Sequence, residues 1–308
     1  PKNPKNPKNL RTADWIPDQH GAWPMVIVPA LLGATVGGWS PLHIAPLLTW
    51  LLGYHLFYAT SRLVKGRMRP RFRPPVYVYT ALTAIAGVIT LTTLGLGVLN
   101  WLPLFLPFMI LAVWQMLANR ERSILARAST IMAGTLMMPL AFDIGFFARF
   151  GEFTYDWGIP EAWYSLHAVI SVAISEGVIF DPVVSSAAAW LPNSTNLNDW
   201  AWVWVAALGT AAYFFSTVPY VKTLVRNKGD ERYLVFSIGL HIVLTLFAAA
   251  FAVLGWVHWL MPAVWVALTI KSIAVPWYAK THQKTVSAKA IGRSEVAVSL
   301  LYLLALCL

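Results

Sequence analysis

Long apolar runs divide this chain into blocks, and the basic residues lie in alternate blocks. All 23 lysines and arginines except Arg149 fall between the long apolar runs or at their edges. Basic residues in short loops are retained on the cytoplasmic face of a membrane, so this alternation predicts a multi-pass protein with these blocks on one side. The basic blocks are the N-terminal arm 2–11 and the segments 60–75, 118–127, 218–232 and 271–293.

Composition supports a membrane protein. The 308 residues are 58% hydrophobic and only 12% charged, with a mean hydropathy of +0.60, whereas soluble domains carry about 25% charged residues. The net charge of +10 is explained by retention in loops rather than by nucleic-acid binding, and the same surface would attract anionic lipid. A single cysteine, Cys307, excludes an internal disulfide or a cysteine metal cluster.

The apolar runs predict an all-α transmembrane bundle of about nine spans with a cytoplasmic N-terminus. Residues 1–18 form a polar, basic arm that begins with three Pro-Lys-Asn repeats. This arm has nothing to bury and does not resemble a cleaved signal, so we expect a flexible segment. The predicted spans are 21–38, 43–59, 76–99, 101–117 and 128–148, then 200–217, 233–254, 258–276 and 294–308.

The stretch 149–199 separates the five predicted spans within 19–148 from the four predicted spans within 200–308. Its run 162–180 is long enough to cross a membrane, but one extra crossing would move the later basic blocks outside. A second run, 183–191, is too short to complete a pair of crossings. We therefore predict an external interfacial or re-entrant helical insertion, which its acidic bias and tryptophans favour.

Two further patterns constrain the bundle. Gly33-x-x-x-Gly37 is a spacing that allows close helix packing, although chance in a glycine-rich helix explains it equally well. The signatures of soluble nucleotide-binding enzymes, zinc proteases and serine hydrolases are absent from the sequence. Polar residues inside the predicted spans are therefore the candidates for function, because each is costly in lipid.

The start of the first span carries Asp18, Gln19 and His20. Asp18 is suited to cap the helix, with Trp23 as an interfacial anchor. Alternatively, Gln19 and His20 face a cytoplasm-side cavity, where a helix N-terminus and a histidine favour an anionic group.

The exit of the second span places His55, Tyr58, Arg62 and Lys65 on one helical face. One interpretation is a basic stop-transfer loop, with His55 bonded to a neighbouring helix. The other is a phosphate-binding face, because arginine matches phosphate geometry.

The exit of the sixth span carries Lys222, Arg226 and Asp230, and His241 follows about 12 Å inside the next span. With His20 and His55, this histidine belongs to the predicted cytoplasmic third. The three histidines are candidates for moving a proton, and a haem held by two of them stays an open alternative.

Asp143 is a carboxylate inside the fifth span, six residues before Arg149. An intramembrane carboxylate is a candidate site for a coupling ion or proton, which leaves a transporter as a third interpretation.

The stretch 15–25, Trp-Ile-Pro-Asp-Gln-His-Gly-Ala-Trp-Pro-Met, resembles the opening of the YwiC-like family of bacterial membrane proteins. Segments 119–122 and 221–226, with Ser237 and His241, are similar too. The resemblance covers most of the chain outside the N-terminal arm and 149–199. The family has no established activity, so the resemblance implies a bacterial membrane protein and no particular reaction.

The layout of nine spans also resembles the UbiA prenyltransferase superfamily, which binds magnesium and a prenyl diphosphate through aspartate-rich motifs at the exits of spans 2 and 6. The first motif is replaced here by Tyr54, His55, Tyr58 and Arg62, and the second retains only Asp230. Magnesium requires carboxylate oxygens, so no metal site is predicted. Arginine and lysine would instead hold a phosphate directly.

We therefore predict a protein of the bacterial cytoplasmic membrane with a cytoplasm-facing polar cavity for a phosphorylated or isoprenoid lipid. The residues of this cavity do not decide whether the protein is an enzyme, and they specify no cofactor. The alternative is an accessory subunit that docks a membrane-protein partner through 150–198. The predicted ligand-binding residues are Gln19, Tyr58, Arg62, Lys222, Arg226 and Asp230, with His20, His55 and His241 as catalytic candidates.

Overall fold

A computed structural model describes residues 14–17, 22–121, 123–151, 153, 199–225, 230–282 and 288–307. All regular structure within these ranges is helical, and no strand occurs there. The chain divides into two compact units, Pro1–Ser175 and Glu176–Leu308, which are described separately.

The described part of the first unit contains six α-helices joined by short turns and 3-10 segments. Proline at the start of the third and fourth helices is favourable, because its missing N–H would be unpaired there. Ser123 caps the fifth helix by accepting a hydrogen bond from the N–H of Ala126. The helices are α1 Ala22–Gly37, α2 Ile44–Lys65, α3 Arg73–Leu94, α4 Leu102–Leu117, α5 Ile124–Thr135 and α6 Met137–Phe150.

The second unit contains four α-helices in its described part. Asp230 caps the second of them by accepting a hydrogen bond from the N–H of Arg232. The hydroxyls of Thr245 and Thr269 lie 2.8 Å apart and join the second helix to the third. The helices are α7 Asp199–Val225, α8 Glu231–Val253, α9 Leu260–Thr281 and α10 Ala288–Cys307.

The predicted all-α membrane bundle is confirmed. Among the described residues, six segments are long and apolar enough to cross a membrane, and two further apolar helices, Ala22–Gly37 and Ser294–Leu306, are shorter. The predicted span 128–148 is occupied by α5 and α6, which a turn at Leu136 separates. The exact number of spans and their orientation stay predictions, and most of the predicted insertion 149–199 lies outside the described residues.

The Gly33-x-x-x-Gly37 pattern is a helix-packing face. A Cβ at Gly33 would overlap the backbone carbonyl of Met138, and one at Gly37 would overlap that of Phe142. Gly145, one turn further along α6, lies in the same way against the carbonyl of Gly37. The two backbones of α1 and α6 therefore touch, as small residues allow in membrane helices.

Candidate functional site

The N-terminal segment contacts the exit of α2 through Asp14. One carboxylate oxygen of Asp14 accepts a hydrogen bond from Arg62 at 2.7 Å. The other accepts two, from Nε and Nη2 of Arg71, at 2.9 and 2.6 Å. Asp14 is buried, whereas the two arginines are 37% and 56% exposed. A planar guanidinium fork is suited to this two-point contact.

The charge on Asp14 is stabilised by these contacts. Burial alone would raise its pKa, but the hydrogen bonds and positive charges of Arg62 and Arg71 outweigh burial and hold the pKa below its ordinary value. The Cζ atoms of the two arginines also lie 5.5 and 5.2 Å from the ring centroid of Phe72. The aromatic ring therefore holds both cations at one corner of the unit.

A second carboxylate contacts the same turns of α2. Glu121, in the connection between α4 and α5, accepts a hydrogen bond from the hydroxyl of Ser61 and pairs with Lys65. The end of the N-terminal arm, the α2–α3 connection and the α4–α5 connection thus lie at one end of the first unit. This grouping is the one that the alternating basic blocks predict.

The α2–α3 connection itself is strongly basic and exposed. Its backbone turns sharply, because Arg67 and Met68 adopt positive φ angles of 52° and 58°. Arg67, Arg69 and Arg73 are exposed, in contrast to the partly covered Arg62. We call this surface the basic corner; it comprises Arg62, Lys65, Arg67, Arg69, Arg71 and Arg73.

His55 lies among aromatic rings, about two turns before Arg62. Its Nδ1 lies 2.8 Å from the carbonyl of Leu51 on its own helix, and not on a neighbouring helix as one interpretation predicted. The rings of Trp23, Tyr54 and Tyr79 lie 5.5, 5.8 and 5.2 Å from the imidazole. The packing of α1, α2 and α3 therefore fixes the position of His55.

The other predicted site residues are divided between the two units. Tyr58 is half-buried on α2. In the second unit, Lys222 lies 5.6 Å from the ring centroid of Tyr233, and Asp230 caps α8. Gln19, His20 and Arg226 lie outside the described residues. A cavity shared by the three histidines therefore stays a prediction.

Asp143 is fully buried, and its carboxylate accepts a hydrogen bond from Nε1 of Trp101 at 3.0 Å. The guanidinium of Arg149 lies against Gly38 at the end of α1. The indole contact gives Asp143 a structural partner in the interior of the unit.

The sequence interpretation missed an ion pair in the second unit. Nζ of Lys271 lies 2.6 Å from Oε1 of Glu295, and both side chains are largely covered, at 17% and 16% exposed. Lys271 was assigned to a cytoplasmic basic block, but it lies well inside α9. Glu295 follows the start of the apolar helix Ser294–Leu306 by one residue. The signal that could have indicated this pair is an ionisable residue within an apolar helix.

No group of three or more His, Cys, Asp or Glu side chains in the described part of the chain is arranged to hold a metal ion.

Comparison with known proteins confirms the family resemblance. The family described as YwiC-like protein matches residues 16–142, which include most of the first unit. The chain is 25% identical over 293 residues to "Uncharacterized protein YwiC" of Bacillus subtilis (strain 168), covering 95% of this chain and 97% of that protein. No solved structure matches significantly. The resemblance to the UbiA superfamily stays a prediction.

Proposed function

We propose that this multi-pass membrane protein, which is similar to the YwiC-like family, binds a lipid with a phosphorylated head at the basic corner of its first unit. The bacterial cytoplasmic membrane is the proposed location. The observation that supports this proposal best is the Asp14 clamp, in which Arg62 and Arg71 already hold an oxyanion by three hydrogen bonds. Phosphate oxygens present the same acceptors to arginine.

The arginines of the basic corner that are not engaged by Asp14 or Glu121 could bind a second anion, the lipid headgroup. Asp14 and Glu121 are the described carboxylates at this end, and they engage Arg62, Arg71 and Lys65. Arg69 and Arg73 are exposed beside the clamp. We therefore assign headgroup binding to these two arginines, and we assign to the Asp14 clamp the role of holding the loop in shape.

The helix that begins at the basic corner also offers a surface for lipid chains. α3 exposes apolar residues along most of its length, from Tyr77 to Ile89. The rest of the unit covers little of this helix. A phospholipid or an isoprenyl phosphate bound by Arg73 would extend its chains along this face. The exposed residues include Tyr77, Val78, Leu82, Ile85, Val88 and Ile89.

The test is lipid retention by the purified full chain, measured by native mass spectrometry after exchange into phosphatidylglycerol, phosphatidylcholine or an isoprenyl phosphate. Each basic side chain near a membrane surface contributes about 1 kcal/mol to binding anionic lipid. The variant Arg69→Ala/Arg73→Ala should therefore bind the anionic lipids about thirtyfold more weakly. Arg69→Lys/Arg73→Lys should retain charge and lose only the two-point contact.

Lys280→Ala is the matched control, because Lys280 is an exposed cation at the end of α9. Equal retention of phosphatidylcholine and the anionic lipids, or full retention by the double alanine variant, would contradict the proposal. Preference for the isoprenyl phosphate over phosphatidylglycerol would identify the isoprenoid as the ligand, and the reverse preference would identify a bilayer phospholipid.

A further inference from the structure

Four helices of the second unit each place one polar side chain at a common position. Nζ of Lys271 on α9 lies 2.6 Å from Oε1 of Glu295 on α10 and 5.0 Å from the ring centroid of Tyr220 on α7. The ring centroids of Tyr220 and His241, which is on α8, lie 6.5 Å apart. We call these four residues the Lys271 cluster.

The Lys271 cluster lies inside the helices rather than at their ends. At 1.5 Å rise per residue, His241 lies about 15 Å from the start of α8 and Lys271 about 15 Å from the end of α9. Both helices are apolar enough to span a membrane. Charged groups at such a depth are costly and mark ion or substrate sites more often than structural contacts.

Three polar atoms at this level have capacity for a further partner. Oε2 of Glu295 and Oγ of Ser237 are buried with no hydrogen-bond partner among the described residues. Nδ1 of His241 lies 2.7 Å from the carbonyl of Ser237. Since a carbonyl only accepts, Nδ1 carries the proton, and Nε2 of the neutral ring is left as an acceptor.

The ion pair restricts what can bind. Protonation of Glu295 alone would leave the ammonium of Lys271 without a counter-ion in a poorly solvated place, which is strongly unfavourable. Entry of an anion alone would set two negative charges against one positive charge. Entry of one proton together with one monovalent anion conserves the charge of the cluster, because the anion replaces the carboxylate that the proton neutralises.

We propose that the Lys271 cluster binds a monovalent organic carboxylate together with one proton. The ligand carboxylate takes the place of Glu295 as the counter-ion of Lys271, and an O–H bond forms at Oε2 of Glu295. No covalent bond to the ligand is made. The surrounding rings favour a carboxylate with an apolar or aromatic body. The ring of Tyr220 lies against Lys271, and the ring centroids of Trp265 and His241 lie 6.4 Å apart.

The test measures binding of benzoate to the full chain in nanodiscs by titration calorimetry over a range of pH, with inorganic phosphate as the comparison anion. If one proton accompanies each anion, the affinity for benzoate should increase about tenfold for each unit by which pH falls. Titration in weak buffer should show uptake of one proton per benzoate.

Two single variants separate the roles of the ion pair. Glu295→Gln imitates the protonated carboxyl, so benzoate binding should persist and become independent of pH. Lys271→Met should abolish binding at every pH. The double variant Lys271→Met/Glu295→Gln removes both charges, which buried pairs tolerate better than the loss of one partner; it should be folded and should not bind.

Glu231 and Lys280 provide the matched control, because this exposed pair on α8 and α9 lies 3.8 Å apart. Lys280→Met/Glu231→Gln should bind benzoate with wild-type affinity and pH dependence. No benzoate binding by the wild type, or tight binding by Lys271→Met, would overturn the proposal. Unchanged pH dependence in Glu295→Gln, with its loss in His241→Gln, would assign the proton to His241 and would also overturn it.

Discussion

The backbone of Gly33 on α1 lies so close to that of Met138 on α6 that a Cβ at position 33 would overlap the Met138 carbonyl oxygen. Gly33→Ala must therefore separate the two helices, and overpacking of this kind costs about 1–3 kcal/mol. We expect a lower midpoint of thermal unfolding in detergent. Gly53→Ala is the control, because its Cβ would meet nothing within 4 Å, and it should stabilise α2 by up to about 1 kcal/mol. An equal change in the unfolding midpoint of the two variants would contradict the close packing of α1 against α6.

Asp14 should make the stability of the first unit depend on pH. Its folded pKa is lowered by Arg62 and Arg71, so its contribution is complete above the unfolded pKa of about 4 and is lost as pH falls through the folded value. Asp14→Asn should unfold at a lower temperature than wild type at pH 7, and the difference should shrink below about pH 4.

The contribution of Asp14 should be modest, up to about 1 kcal/mol, because both arginines are partly exposed. Thermal unfolding at several pH values measures it. Glu231→Gln, in an exposed pair, should show little change at any pH. A difference for Asp14→Asn that grows as the pH falls would refute the clamp.

Variants of Trp101 and Asp143 test whether the buried carboxylate of Asp143 on α6 has a structural role. Trp101→Phe removes the indole donor that Asp143 uses at 3.0 Å, and we expect a loss of about 1–3 kcal/mol in unfolding free energy. Asp143→Asn keeps an oxygen acceptor for the indole and should cost less. A loss of stability in Asp143→Asn larger than that in Trp101→Phe would contradict this pairing.

Labelling of single cysteines tests the orientation that the charges predict. Within the α2–α3 connection, Gly66 is a poor site for a cysteine, because a Cβ there would overlap the ring of Phe72. In a Cys307→Ser background, Arg69→Cys and Lys280→Cys should resist an impermeant external maleimide, whereas Thr195→Cys should react. The opposite pattern would reverse the predicted topology.

Much of the local structure follows from the sequence. The apolar runs predict where helices lie, because each helix satisfies its own backbone hydrogen bonds in lipid. The helix α2 continues to Lys65, beyond the predicted span 43–59, which agrees with the helical spacing of His55, Tyr58, Arg62 and Lys65. The basic blocks also predict which connections share an end, as the contacts of Asp14 with Arg71 and of Glu121 with Lys65 show within the first unit.

The candidate sites were predicted less completely. Arg62 was singled out by its helical spacing from His55, but no local pattern indicates that Asp14, far away in the chain, binds it. Lys271 was placed in the basic block 271–293, at the edge of the predicted span 258–276, and its partner Glu295 was not considered. Both contacts were missed for one reason: residue spacing shows which side chains share a face of one helix, and it carries no information about the neighbouring helix.

The sequence by itself determined an all-α membrane protein, the approximate positions of its helices and the grouping of the basic connections within the first unit, because hydropathy and charge act locally or through the membrane as a whole. Only the tertiary structure decided that Gly33 and Gly37 touch α6, that Asp14 holds two arginines, and that Lys271 meets Glu295 inside the helices. These contacts depend on which helix faces pack together, and that choice is made by side-chain shape and pairing between segments remote in sequence.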